Sequence, residues 1–340
     1  MLVAACLLLA GGCGLMRGQQ NSADAEGKTQ ITVGAMPLVN LVPLQLAIDP
    51  KYHFFGDEGL FVTPKTINNG GAGLVELLNG EADVTYVSVV TVAKAQAKAP
   101  EKDPAKRYTI IAPASANARL AMALVAKENG PIKTVRDLKG KRVAINQTGG
   151  LADAMTRSAL KDNGVAAGDV HMPPVDFPNM PVYLENDQVD AALVAEPYVT
   201  LAAQQAGAIP LVNFQDTEAK DLPLDCYVTT EKYAAEHPAE IGEFQRALRN
   251  AANLAHDDHQ AAVDEVPHFI KDIPVGLPQL LNFPAFPLAV DERNYQRVPD
   301  LMKNYGLADD FKIGPMIYTP PSPSPSPSPS GSSATPTPTK

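Results

Sequence analysis

The stretch Leu77-Leu78-Asn79-Gly80-Glu81-Ala82-Asp83-Val84-Thr85-Tyr86-Val87 changes period in its middle. Residues 73–79 read as an amphipathic helix ending at Gly80, a residue suited to the left-handed turn that closes helices. After Asp83 the run Val84-Thr85-Tyr86-Val87 reads as a buried strand, and residues 89–98 return to a helical pattern. The punctuation recurs downstream in Glu185-Asn186-Asp187-Gln188-Val189-Asp190-Ala191. Both stretches place Asn at a helix end and Asp four residues later, at the mouth of an apolar strand. Such an echo predicts two lobes of one design.

Working outward, residues 31–34 are β-prone, and Asn40 with Pro43 opens a helix over 44–48 that Asp49-Pro50 stops. Residues 60–63, 65–67 and 108–112 read as strands, with a turn at Asn68-Asn69-Gly70-Gly71. The pattern restarts after Ala112. Strands are expected over 120–127, 141–146 and 190–194, and helices over 151–163, 180–186 and 197–206. Residues 226–230 form a returning strand, and 238–256 a long helix with Ile241, Phe244, Leu248 and Leu254 along one side. The remainder to Tyr318 reads as helix with Pro-rich breaks. Strand and helix alternating at this spacing predict an α/β protein whose sheets are mostly parallel and flanked by helices.

Composition excludes several functions. Among 340 residues, 28 Lys+Arg face 38 Asp+Glu, and a net charge of −10 opposes general nucleic-acid binding. Cys6, Cys13 and Cys226 are too few and too scattered for a disulfide framework or a four-ligand zinc site. Cys226, alone in a strand, reads as a small core residue. No phosphate-binding loop, nucleophile elbow or dinucleotide fingerprint is present, and Gly70-Gly71-Ala72-Gly73 is too compact for the last. No catalytic residue and no cofactor are therefore expected. His256-Asp257-Asp258-His259, with Asp264 and His268, would place His256 and His259 on one helix face as metal ligands sit. The polar surroundings favour a solvated face, and no metal is expected.

The two ends read differently from the middle. Residues 2–16 are apolar or small and uncharged, too few to span a bilayer, which takes roughly 20. Leu8-Leu9-Ala10-Gly11-Gly12-Cys13 resembles a bacterial lipobox, although no Lys or Arg precedes the run. Residues 1–13 are expected to be a lipoprotein-type signal with Cys13 as the lipid carrier, and residues 14–27 a tether. Residues 319–340 alternate Pro with Ser or Thr and read as an extended, disordered tail.

Five stretches in order resemble the solute-binding proteins of ABC importers, in the branch that handles nitrate, sulfonates, taurine and thiamine pyrimidine precursors. They are residues 31–49, 58–62, 77–84, 137–144 and 189–198, the last reading Val-Asp-Ala-Ala-Leu-Val-Ala-Glu-Pro-Tyr. The resemblance implies a two-lobe periplasmic-binding-protein-like fold of type 2 topology. Lobe 1 would hold residues 28–115 and 231–318 and lobe 2 residues 116–230, with crossings near Ser115–Arg119 and Thr230–Tyr233. It implies a monomer outside the cytoplasm, held to the outer face of the bacterial cell membrane by its lipid, that passes a small-molecule ligand to a permease and ATPase. The alternatives are a pyrimidine-synthase-like enzyme of the same fold, or a ligand-sensing subunit of a membrane signalling system. The export signal and the lack of a Cys-rich motif oppose the enzyme.

In such lobes ligands meet loops and helix N-termini at the carboxyl ends of strands. The candidates at those points are Asn40, Asn69, Gly70 and Ser88 in the first lobe, and Thr148, Gly149, Gly150 and Glu196 in the second. Glu196 suits a ligand amine or ring N–H, or else serves as a helix-start acid. Arg119 suits an anionic ligand or a neighbouring carboxylate. Ligand charge stays open at this point.

Overall fold

The structure is a computed structural model that describes residues 27–321. The expected signal, with Cys13, and nearly all of the Pro-rich tail lie outside the described residues. Lobe 1 begins with β1 (Thr29–Ala35), α1 (Val42–Ile48), the short α2 (Phe54–Asp57), β2 (Leu60–Thr66), α3 (Gly70–Asn79), β3 (Val84–Ser88), α4 (Val89–Gln96) and β4 (Tyr108–Ala116). Lobe 2 follows with β5 (Met122–Lys127), β6 (Val143–Ala144), α5 (Leu151–Asp162), α6 (Met180–Glu185), β7 (Ala191–Ala195), α7 (Tyr198–Ala206) and β8 (Ala208–Asn213). The chain then returns through β9 (Pro223–Thr230), α8 (Glu231–Glu236), α9 (Pro238–Asp257), α10 (His259–Phe269) and α11 (Glu292–Asn304).

The sheets are ordered β2-β1-β3-β9-β4 and β6-β7-β5-β8. In each, one strand opposes the rest. β9 is antiparallel to both β3 and β4, and β5 to both β7 and β8, whereas β1–β2, β1–β3 and β6–β7 are parallel. The opposing strand is the one that has just crossed from the other lobe. Lobe 2 also has a counterpart of β2. Parallel bridges Arg142↔His171 and Ile145↔Pro174 set residues 171–174 beside β6 as β2 lies beside β1.

The echoed Asp residues explain themselves in this frame. Asp83 Oδ2 accepts from Thr32 N, and Asp190 Oδ2 from Arg142 N, each at 2.8 Å. In both lobes the Asp N–H in turn donates to the carbonyl of the same residue, at 2.9 Å. Each Asp thus pins its own strand to the strand beside it. The lobes differ in charge: the Arg142 guanidinium holds the Asp190 carboxyl low, while burial pushes that of Asp83 up.

One expectation changes and one strand is new. The crossing expected near Thr230–Tyr233 lies earlier, over residues 214–222, because β9 is hydrogen-bonded inside the first sheet. Residues 223–230 therefore sit in lobe 1. Strand β8 had no expectation, since Pro210 interrupts the run of Ala208–Asn213.

Local chemistry places the helices. Pro43 lies in the first turn of α1, Asn69 caps α3 by accepting from Ala72 N at 3.0 Å, and Gly80 closes α3 at φ 71°. On α9, Ile241, Phe244 and Leu248 are buried, and Phe244 packs against Phe55 and Tyr227. Among the described residues no helix is long and apolar enough to cross a membrane.

Helix α3 approaches β1 and β3 closely because Gly34 and Gly73 both face Thr85. A Cβ on either would press into Thr85 Oγ1, and one on Gly34 would come 3.2 Å from Thr85 Cβ. Gly34→Ala is expected to cost about 1–3 kcal/mol through overpacking. Thr85→Ala in the same chain should restore most of it. Urea midpoints of the two single variants and the double variant measure the coupling, and strictly additive midpoints would refute the contact.

Candidate functional site

The carboxyl ends of β1, β3, β6 and β7 converge on the gap between the lobes, as do the first residues of β5 and β9. Met36, Leu38, Asn40, Gly70, Ser88 and Asp225 form the lobe 1 wall. Met122, Asn146, Gln147, Leu151, Phe177 and Ala195 form the lobe 2 wall. The lobes touch around it: Val39 N donates to Glu196 O at 3.1 Å, Tyr198 OH to Pro37 O at 3.1 Å, and Gly71 N to Gln147 Oε1 at 3.2 Å. The cavity between these walls is about 30 Å³, room for little more than water.

A polar cluster fills the lobe 1 side. Asn40 Nδ2 donates to Ser115 Oγ at 2.9 Å and to Asp225 Oδ2 at 3.0 Å, and Ser115 Oγ donates to the same carboxylate oxygen at 2.7 Å. Tyr86 adds another hydrogen bond to Asp225. Burial pushes the Asp225 carboxyl up, opposed by the hydrogen bonds from Ser115, Tyr86 and Asn40. No cation neutralises it within this cluster. Asn40 Oδ1 is buried and has no hydrogen-bond partner.

The residues expected from sequence divide into groups. Asn40, Gly70 and Ser88 line the cleft. Asn69 and Ser88 spend their side-chain oxygens as caps of α3 and α4, Ser88 accepting from Thr91 N at 3.1 Å and donating to Thr91 Oγ1 at 2.8 Å. Thr148 is exposed, and Gly149 and Gly150 lead into α5 behind Gln147. Gly149 N donates to Asp153 Oδ2 at 2.6 Å, so that helix start already has its own acid.

Glu196 turns away from the gap. It is fully buried, and Oε1 accepts from Asn282 N and Nδ2, both at 3.0 Å, and from Thr200 Oγ1 at 2.7 Å, while Oε2 accepts from Thr200 N at 3.0 Å. Burial raises its carboxyl, and the Asn282 and Thr200 hydrogen bonds oppose that. The carboxylate fastens the start of α7 to the segment before α11. Arg119 is exposed.

Sequence reasoning missed Asp225, Ser115 and Tyr86. One signal was available for Asp225: an acid between Leu224 and Cys226 opens an otherwise apolar strand. The histidine run also resolves. Asp258 separates α9 from α10, so His256 and His259 do not share a helix, and His259 packs edge-on against Phe283. His268, Glu265 and Asp49 come within 4.8 Å of one another, and His268 Nδ1 lies 3.3 Å from Glu265 Oε2, an ordinary ion-pair arrangement. A roomier cavity of about 200 Å³ lies within lobe 1, beside β4 and α9 near Gln245 and Arg249, but lobe 2 contributes nothing to it.

Sheet order, paired crossings and an interlobe cleft define a two-lobe protein of the periplasmic-binding-protein-like fold. The chain belongs to the NMT1/THI5-like family, whose model matches residues 48–262. It is 28% identical over 275 residues to a Bacillus subtilis (strain 168) protein named, as an unproven assignment, an aliphatic sulfonates-binding protein, covering 80% of this chain and 78% of the other. Its fold matches the alkanesulfonate-binding protein SsuA from Xanthomonas axonopodis pv. citri, solved bound to MOPS, at a TM-score of 0.69 and 17% identity over 87% of this chain and 99% of that one. The desulfurization enzyme DSZB shares the fold at a TM-score of 0.58 and 14% identity, over 83% of this chain and 94% of that one.

Asp225 offers a test by pH. A carboxyl whose folded-state pKa is raised adds stability below its ordinary value near pH 4 and loses it as pH rises through the folded value. Asp225→Asn has nothing to titrate there. The wild-type advantage over Asp225→Asn is therefore expected to be largest near pH 4 and smaller at pH 8, measured by urea unfolding. An advantage that grows with pH would mean that the cluster favours the anion.

Proposed function

We propose that this chain is the extracytoplasmic solute-binding component of an ABC importer. It takes a small polar molecule between its lobes and hands it to a permease driven by an ATPase. The observation that carries the reading is the cleft: both lobes wall it, and it holds a buried acceptor, Asn40 Oδ1, that lacks a partner. Among the described residues lining it there is no His, Cys, Lys or Arg, so the cleft holds none of the His or Cys chemistry expected of the enzyme of the same fold. Cys226 is buried away from the cavity, and burial pushes its thiol well up.

The Bacillus subtilis relative supports a sulfur-containing organic acid as the solute class. Asn40, Gly70 and Ser88 are our lobe 1 contacts, and Gly149 and Gly150 stand behind Gln147 on the other wall. Thr148 and Asn69 border the site. Glu196 supports the wall rather than touching the solute. The monomer would work by hinge closure, in which solute favours the closed state.

Calorimetric titration with two- to four-carbon sulfonates tests the reading. Saturable binding supports it, and folded protein that binds none of them counts against a sulfonate solute. The anchor has its own test. Cys13→Ser is expected to move the protein from the membrane fraction to the soluble fraction of cells, and a variant that stays with membranes removes lipidation at Cys13 from the proposal.

A further inference from the structure

Strand β4 lies at an edge of the first sheet, with β9 on one side only. Its outer edge is met at two points: Ile317 bridges to Ile110, and Ala285 to Ala116. Between them Pro113 has no N–H to offer, and the register with β9 shifts both before and after it. Gln245, on α9, takes the carbonyl of Ile111 with its Nε2 at 2.6 Å. Helix α9 and residues 287–290 otherwise stand off this edge and wall a cavity of about 200 Å³.

Two phenols in this wall are left over. Tyr227 is 1% exposed and lines the cavity, yet its hydroxyl is buried without a hydrogen-bond partner among the described residues. The Tyr227 ring cannot swing away, since it packs edge-on against both Tyr86 and Phe244. Tyr318 lines the same cavity, and its hydroxyl is likewise buried and unpartnered. Buried phenols normally find a partner, because the unmade hydrogen bond is costly. Burial pushes both hydroxyls up, so each keeps its proton and can donate. Arg249 brings the one charge: among the described lining residues there is no Asp, Glu, Lys or His. Ile110, Leu248, Leu288 and Ile317 make the rest of the wall largely apolar.

We propose that this cavity is a second ligand site, separate from the interlobe cleft, and that it takes a small aromatic acid bearing a ring hydroxyl, of hydroxybenzoate size. The Arg249 guanidinium pairs with the carboxylate, the apolar wall takes the ring, and the ring hydroxyl exchanges hydrogen bonds with Tyr227 and Tyr318. A closed cavity of about 150 Å³ holds benzene, so about 200 Å³ accommodates a ring with small substituents. Plain benzoate would leave the two phenols unpartnered, plain phenol would leave the guanidinium without an anion, and an amine would meet a like charge.

Calorimetry on the wild-type chain with 4-hydroxybenzoate, benzoate and phenol tests the site. 4-Hydroxybenzoate is expected to bind about 10-fold tighter than either other probe, the usual worth of a hydrogen bond to a charged or buried partner. Tyr227→Phe should cut its advantage over benzoate, and Arg249→Gln its advantage over phenol, each to below about 3-fold. Ala252→Leu adds bulk to the cavity wall from α9 and should abolish binding of all three probes. Circular dichroism checks that each variant folds, and Arg249→Gln, at an exposed position, carries the test if a buried variant does not. Equal affinities for the three probes overturn the proposal, as do unchanged advantages in folded Tyr227→Phe or Arg249→Gln. Undiminished binding to folded Ala252→Leu puts the probe elsewhere and overturns it too. Wild-type protein that binds no probe at millimolar concentration overturns it and leaves the two phenols to ordered water. None of these outcomes bears on the interlobe cleft, whose lining includes none of the three substituted residues.

Discussion

Strand β9 enters lobe 1 from the cleft and runs against its neighbours, with β3 on one side and β4 on the other. Both neighbours end where β9 begins, so their last residues must meet its first. The register pairs Ser88 with Asp225 on one side and Ser115 with Asp225 on the other, and irregularities in the β4 ladder flank Ser115. Residues 223–229 are buried, so two ladders and the apolar layers on both faces hold the strand in place. A one-residue slip would turn Asp225 to the opposite face and Leu224 or Cys226 into its place. The cleft's acid therefore depends on the same pairing that closes the sheet.

The order of elements was legible in the sequence because each βα unit carries its own period and its own punctuation. The Asn and Asp echo was legible for a further reason: Asp83 and Asp190 perform the same backbone task in each lobe. Which sheet receives β9 was not legible, since an apolar strand suits either lobe and the ladder partners lie more than a hundred residues away. The site was partly legible. Positions after parallel strands do gather at the cleft, as Asn40, Gly70 and Ser88 do. For Glu196, type and position left a ligand contact and a helix-start acid open; it accepts from Thr200 N at the start of α7, while its partner Asn282 comes from a distant irregular segment that sequence did not reveal. Asn and Ser at strand ends also serve equally well as caps and as ligand contacts, and Asn69 and Ser88 are caps.

The pseudo-symmetry of the lobes stops at the cleft, and that asymmetry gives the molecule its chemistry. In lobe 1 the opposing strand carries an acid, Asp225, as its third residue. In lobe 2 the opposing strand begins with Met122, and its wall is apolar apart from the amides of Asn146 and Gln147. A solute with unlike ends has one favoured orientation between walls of this kind, whereas two identical walls would accept either.

Closure and recognition also share residues. The turn of Val39–Leu41 carries Asn40 toward Asp225, and its Val39 N–H donates to Glu196 O of the other lobe. Glu196 is fastened in turn to Asn282. A ligand shifts an opening equilibrium only by its differential affinity for the two states. On the proposed function, a contact that a solute makes with lobe 1 alone is made whether or not the lobes close, so it favours the solute without driving closure. On that reading the driving term comes from contacts made only when Glu196 O meets Val39 N, so that recognition and closure rest on different walls of the cleft.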